Sequence, residues 1–274
     1  MDHHLICARL RVPDLDASVD HLVALLGLRE TRRDATSAGL AHPGQPVCLE
    51  LVAGAAAIES LTLATDPMHL VEVAARAEAH GAPVLERGAE RLRLMAPHGV
   101  VVELVAGGDA AGGSLDHLSF TARELQAGVR FFCDVLGFRL SDRVGESRYW
   151  LRCNANHHTV ALFAGEDGLQ HYAFAVPDVG ALARLGDALA ARGGNFLWGI
   201  GRHGLGENVF TYHLDPSGAI LEVCSDMVQI TDEDAWEVGV WAQDSTASAI
   251  RWGQLPPPEF RTTIIPSAAG LARA

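Results

Sequence analysis

No uncharged apolar stretch in the chain approaches the roughly 20 residues that a membrane-spanning helix needs. The first residues, "MDHHLICARL", place charge and histidine where a secretory signal requires a basic start and an apolar core, so a cytoplasmic location is expected. Positive charge is scarce. There are 21 basic against 34 acidic residues, a formal charge of -13, which argues against nucleic acid or an anionic membrane as a partner. The five cysteines (Cys7, Cys48, Cys133, Cys153 and Cys224) are odd in number, scattered and without C-x-x-C spacing. Neither a disulfide framework nor a zinc ribbon is indicated, and most read as small buried hydrophobes. No G-x-G-x-x-G follows a first strand, so the dinucleotide-binding fingerprint is missing. What remains is 274 residues, 49% hydrophobic and 20% charged, the make-up of one large or two ordinary globular domains. Histidine, at 13 residues, is the unusual component, because imidazole is the commonest metal ligand and a frequent acid-base group.

Internal repetition organises the chain. "VCLELVAG", "VVVELVAG", "TVALFAG" and "AILEVCSD" each close a segment of similar length, and the segments also begin alike. Each opening has a short alternating strand, a helix-start signal and an amphipathic stretch that stops at a glycine: Gly27, Gly81, Gly137 and Gly193. Asp14, Asp66 and Asp178, with Pro13, Pro67 and Pro177 beside them, suit helix starts. Short β-like runs follow, so one unit reads βαβββ and the fold class is α+β, with four modules in two pairs. The Gly- and Ala-rich "VAGGDAAGGSLDH" reads as a linker. The expected division is residues 1–110, 111–227 and a tail, 228–274, whose Pro256 to Pro258 suit chain wrapped over the surface.

Strand alternation then singles out a face. His117, Ser119 and Thr121 share one side of the strand opening the third module, opposite Leu118 and Phe120. His171, Ala173 and Ala175 do the same in the fourth, opposite Tyr172, Phe174 and Val176. If the bulky faces pack under the helices, the histidines project into a concavity with small neighbours. A lone strand histidine is ordinarily a hydrogen-bonded core or surface residue; two at equivalent repeat positions argue for more. Glu222, in the closing strand "AILEV", sits among apolar neighbours, where an ionised carboxylate needs rim exposure, a counter-charge or a metal. Two imidazoles and one carboxylate suit a mononuclear non-haem Fe(II) site with open positions, and Mn(II) fits nearly as well. The N-terminal half keeps Glu50 and Glu103 at the repeat position of Glu222 but lacks a second matching histidine. It reads as structural, with His4, Glu59 and Glu103 as a weaker alternative site.

The stretch "GRHGLGENVFTYHLDPSGAILE", Gly201 to Glu222, contains Gly-x-His, Tyr-x-x-Asp-Pro-x-Gly and a Glu. In this it resembles the signature of type I extradiol ring-cleavage dioxygenases of the vicinal oxygen chelate superfamily. Thr211 departs from it, standing where an aliphatic or Phe is preferred. The resemblance runs from about His4 to Asp226, and the tail, with its Trp-Gly and proline-rich stretch, is similar too. It implies two vicinal-oxygen-chelate-type domains and His117, His171 and Glu222 as iron ligands. In "NHHTVALF" only one of His157 and His158 can face the cavity; the sequence does not choose between them, and the resemblance assigns His158 the acid-base role. Tyr212 and His203 would hydrogen-bond the substrate; without the motif they read as a half-buried strand tyrosine and an exposed loop histidine. Ser119, Trp150 and Leu205 are placed by position as pocket lining.

The implied activity is Fe(II)-dependent extradiol (meta) cleavage of a catechol-type diol by dioxygen, giving a muconic semialdehyde-type product. A divalent cation lowers the pKa of a bound hydroxyl, which suits a diol binding deprotonated near neutral pH. Mono- and bicyclic diols stand level, and the family habit is homo-oligomers. The alternatives are a metal-dependent glyoxalase-like isomerase or lyase and a metal-free small-molecule-binding protein. Glyoxalase-like enzymes draw on more than one Glu, whereas the third module offers Ala161 at that position.

Overall fold

The computed structural model describes residues 3–107 and 115–272. The chain follows the repeat closely. The first module is β1 (His4–Val12), α1 (Leu15–Leu26), β2 (Arg29–Arg33), β3 (Ser37–Ala41) and β4 (Leu49–Ala53). The second is β5 (Ala57–Thr65), α2 (Pro67–Ala79), β6 (Val84–Arg87), β7 (Arg91–Met95) and β8 (Val101–Ala106). The third is β9 (Leu115–Ala122), α3 (Leu125–Arg130), β10 (Arg139–Val144), β11 (Arg148–Arg152) and β12 (Val160–Ala164). The fourth is β13 (Gly168–Ala175), α4 (Val179–Ala191), β14 (Trp198–Arg202), β15 (Val209–Leu214) and β16 (Ile220–Ser225). The linker with the expected boundary at 110/111 falls on residues 108–114, outside the described residues.

Local chemistry explains the helix limits. The carboxylates of Asp14, Asp66 and Asp178 accept the backbone N–H groups of Ala17, Met68 and Ala181 at 2.9, 2.8 and 2.8 Å. These bonds satisfy donors that the first helical turn leaves unpaired. Gly27, left-handed at φ 66°, closes α1 by donating to the Val23 carbonyl. The third helix differs from the simple amphipathic helix expected. After Arg130 it widens into a π-helical stretch, Phe131–Val135, which turns Phe131, Phe132 and Val135 all into the core.

Each module contributes four strands to a sheet, and paired modules join through their first strands, β1 with β5 and β9 with β13, both antiparallel. The N-terminal sheet has the order β2-β3-β4-β1-β5-β8-β7-β6. The C-terminal sheet runs β14-β15-β16-β13-β9-β12-β11-β10, extended by a tail strand, β17 (Gly239–Trp241). Helices cover one face: α3 lies on β9 and β12, and α4 on β15 and β16. Leu118, Phe120, Tyr172 and Phe174 are fully buried there, as the alternation predicts. The halves meet through α1 on α4 and α2 on the π-helical stretch, within one continuous apolar core.

The opposite face of the C-terminal sheet carries the site. Its residues come from β9, β11, β12, β13, β14, β15 and β16 yet line one cavity, so that face is concave. The tail crosses the opening with α5 (Thr246–Ala249) and α6 (Pro258–Thr262). It then adds β18 (Ile265–Pro266) to β13 and ends on α7 (Ala268–Leu271).

Candidate metal centre and its cavity

Register brings the donors together. In the β13–β16 pair, Ala173 stands beside Glu222, and in the β9–β13 pair Ala173 stands opposite His117. The small side chain at position 173 leaves the space into which His117, His171 and Glu222 converge. His117 Nε2 lies 3.1 Å from His171 Nε2 and 3.0 Å from Glu222 Oε2, and His171 Nε2 lies 3.1 Å from the same oxygen. Ligands at right angles around a cation, each about 2.1 Å from it, stand about 3.0 Å apart. The three donor atoms therefore have the spacing of one face of an octahedron, and the two-imidazole, one-carboxylate set suits a divalent metal with open positions.

The surrounding residues fix which atoms point inward. Asp116 accepts the Nδ1 proton of His117 at 2.7 Å, and Gln170 Oε1 takes that of His171, so each ring turns its Nε2 to the centre. Asn208 Nδ2 donates to Glu222 Oε1 at 2.9 Å, leaving Oε2 for the centre. The Ser119 hydroxyl lies 2.9 Å from His171 Nε2. Charge follows geometry. Burial works to raise the Glu222 carboxyl, but His117 and His171 overcome it and hold Glu222 well below the usual carboxylate range. Burial likewise opposes a charge on His117, yet Glu222 and Asp116 lift that imidazole to about 9.

His158 faces the cavity, its ring centroid 4.4 Å from that of His117. Burial, then the neighbouring His117 and His157, keeps it well below the ordinary imidazole value. His157 turns away, with Nε2 3.5 Å from Asp142 and its ring edge-on to Trp236. Tyr212 lies directly opposite Glu222 in the β15–β16 ladder, which places both side chains on one face. Its hydroxyl meets His203 Nε2 at 2.9 Å, and His203 Nδ1 donates to the Ala249 carbonyl of the tail at 2.6 Å. His203 thus sits among partners rather than in solvent, stacked on Phe210 at 3.8 Å between ring centroids. Ser119, Trp150 and Leu205 all line the same cavity.

The cavity measures about 560 Å³. One benzene ring fits in roughly 150 Å³, so the space accepts one substituted ring or two fused ones. Trp198, Tyr212 and Phe260 form one aromatic wall, with Trp198 and Tyr212 stacked at 5.2 Å and Phe260 edge-on to both at 4.7 Å. Trp150 and Phe163, 5.4 Å apart, form another. Sequence reasoning missed Asp116, Gln170, Asn208 and Phe260. The available signal was an acceptor side chain immediately before each of the two histidines.

At the equivalent places in the N-terminal sheet, arginines neutralise the glutamates. Arg9 bonds Glu50 and Glu59, each at 2.7 Å, with Arg32 adding to Glu50 and Arg11 to Glu59. Glu103 meets Arg91 at 2.9 Å and Arg93 at 3.5 Å. The carboxylate position recurs in both halves, but its counter-charge is guanidinium in one and imidazole in the other.

The profile of the Glyoxalase/Bleomycin resistance protein/Dioxygenase superfamily matches residues 114–223. Metapyrocatechase 2 of Cupriavidus necator is 34% identical over 149 residues, covering 53% of this chain and 46% of that protein. The 2,2',3-trihydroxybiphenyl dioxygenase of Sphingomonas paucimobilis is 32% identical over 170 residues, 57% of this chain and 56% of that protein. The matched stretch thus spans about half the length of these curated relatives. Among solved structures, the Mn(II)-bound glyoxalase of Novosphingobium aromaticivorans superposes with a TM-score of 0.85 at 27% identity, covering 97% of this chain and 95% of that one. An extradiol ring-cleaving dioxygenase from B. fuscum gives 0.85 over 98% of this chain and 85% of that one; at 22% identity it speaks for the fold alone. Residues 114–223 thus match the Glyoxalase/Bleomycin resistance protein/Dioxygenase superfamily model, in a chain whose paired modules have the vicinal oxygen chelate fold seen in extradiol dioxygenases.

Proposed function

We propose that the protein is a metal-dependent extradiol dioxygenase that opens the ring of a catechol-type diol, using both atoms of dioxygen, to a muconic semialdehyde-type product. The observation that carries this reading is the octahedral-face spacing of His117 Nε2, His171 Nε2 and Glu222 Oε2 at the floor of an aromatic-walled cavity that also holds His158, Tyr212 and His203. Fe(II), or Mn(II) in its place, would be held by these three residues, and when bound it supplies a Lewis acid that lowers the pKa of a coordinated hydroxyl and leaves positions open.

The chain's own groups do the rest. His158, the cavity-facing imidazole outside the donor set, accepts a substrate proton, stabilises the negative charge that develops beside it as imidazolium, and returns a proton during bond cleavage. The Tyr212 hydroxyl, oriented by His203, hydrogen-bonds a substrate oxygen. The Ala249 carbonyl fixes the tautomer of His203, so its Nε2 accepts from Tyr212. Trp198, Phe260 and the tail shield the reacting ring from water.

The superposition on a Mn(II)-bound glyoxalase supports a second reading, a metal-dependent isomerase. Against it, the donor cluster includes one glutamate, and Ala161 occupies the third module's position. One experiment separates the two. Protein loaded anaerobically with Fe(II) is screened against mono- and bicyclic catechols for oxygen uptake and ring-fission absorbance, and in parallel against a hemithioacetal without oxygen. Oxygen consumed in step with a coloured product supports the dioxygenase; hemithioacetal turnover with no oxygen uptake on any catechol overturns it.

A further inference from the structure

Two guanidiniums on the cavity wall have no role in the chemistry above. Arg148, half-buried on β11, and Arg261, exposed on α6, both line the cavity and lie close enough to repel one another. Neither forms an ion pair among the described residues. Arg148 makes one long bond, 3.3 Å from Nη2 to the Gln243 carbonyl. The cavity's carboxylates are Glu222, committed to the donor cluster, and Asp244, which pairs with neither arginine. In a chain of formal charge -13, most other arginines reach a carboxylate, which makes an unpaired pair facing a ligand cavity informative. Burial and the like charge of Arg261 both disfavour the charge on Arg148, a situation an incoming anion relieves.

Strand register sets the distance of this charge from the donors. Trp150 is level with Ala161, and Ala161 with Ser119, whose hydroxyl touches His171. Arg148 lies two residues along the same strand face, level with Phe163 and Thr121. That is about 7 Å farther from the donor cluster. A ring held beside Trp150 with its vicinal oxygens on the metal therefore directs its far substituent at Arg148.

We propose that Arg148, assisted by Arg261 at the mouth, binds a carboxylate carried on the substrate ring away from the diol, so that the enzyme selects acid-bearing catechols. The orientation rests on the diol-cleaving reading; the anion site itself does not. Charge-assisted bonds to a carboxylate of this kind discriminate by about 10- to 100-fold.

The test keeps the two readings apart. Phenylacetate and phenylacetamide, which share a shape and lack the diol, are titrated into metal-loaded protein under nitrogen while tryptophan fluorescence is followed. Trp150 and Trp198 line the cavity and report its occupancy. The expected result is phenylacetate binding about 10-fold or more tighter, with the preference lost in Arg148→Gln, largely kept in Arg148→Lys and reduced a few-fold in Arg261→Gln. For turnover, the ratio of kcat/KM on 3,4-dihydroxyphenylacetate to that on its methyl ester falls toward one in Arg148→Gln. Equal binding of acid and amide, no binding of phenylacetate, or an undiminished preference in Arg148→Gln overturns the proposal. Failure of every catechol to consume oxygen overturns the dioxygenase reading instead, and the phenylacetate preference still decides this one.

Discussion

His98 offers a quantitative test of how the two halves are held together. It sits in the turn between β7 and β8, wholly buried, with its ring 4.8 Å from Phe120 and 6.1 Å from Phe132 of the C-terminal half. Neither ring nitrogen finds a hydrogen-bond partner among the described residues. Burial alone pushes its imidazole down to about 4. Two consequences follow for His98→Leu, which keeps the bulk and removes the polar atoms. At pH 7.5 the variant should be more stable by about 1–3 kcal/mol, the cost of burying an unpaired polar group. The pH effect carries a definite sign. With a folded value near 4 and an unfolded value near 6.5, this imidazole costs the fold least above pH 6.5, and stability is lost as pH falls from there toward 4. Each pH unit in that window is worth about 1.4 kcal/mol, so the wild type should give up roughly 2 kcal/mol between pH 7.5 and 5 that the variant keeps. Urea denaturation of chelator-treated wild type and variant at both pH values reads the difference, since all other groups cancel between them. A variant less stable than wild type at pH 7.5, or a gap of the same size at pH 5, refutes the reasoning.

Asp116→Asn removes the carboxylate that orients His117 Nδ1, and metal affinity measured by competition with a coloured chelator should fall about 10- to 100-fold while the melting temperature of the metal-free protein moves little. Gly204→Ala places a methyl group 1.8 Å from the Ala247 carbonyl oxygen, which forces α5 away and withdraws the Ala249 carbonyl from His203. It should lower kcat by about 100-fold with metal still bound, checked by metal analysis beside turnover. Tyr172→Phe leaves the buried Asp215 without its 2.7 Å bond in the turn joining β15 and β16. It should cost about 1–3 kcal/mol in denaturant titration.

The sequence was legible where periodicity and turn chemistry carried the information. Alternation sent Leu118 and Phe120 to the core and His117 to the cavity, and the Asp215 turn placed Tyr212 across from Glu222. It was mute where neither applied. Alternation assigns Asp116 and Gln170 to the face opposite the histidines they orient, yet both side chains reach back to Nδ1; the β9–β13 ladder shifts register near His171, which loosens the strict alternation. Asn208 precedes β15 in a loop with no periodic signal. The tail helices that cap the cavity are four and five residues long, too short to show amphipathicity, and the partner that buries His203 lies 46 residues further along the chain.

The proposed reaction at this cavity is the insertion of dioxygen into a catechol ring. Its most direct test is mass spectrometry of the product formed by Fe(II)-loaded protein under heavy-isotope dioxygen in ordinary water. Both oxygen atoms of one dioxygen molecule should be taken up into the ring-opened product at the moment of cleavage, and His171→Ala should form none. A product carrying no label, or full activity in His171→Ala, would contradict it.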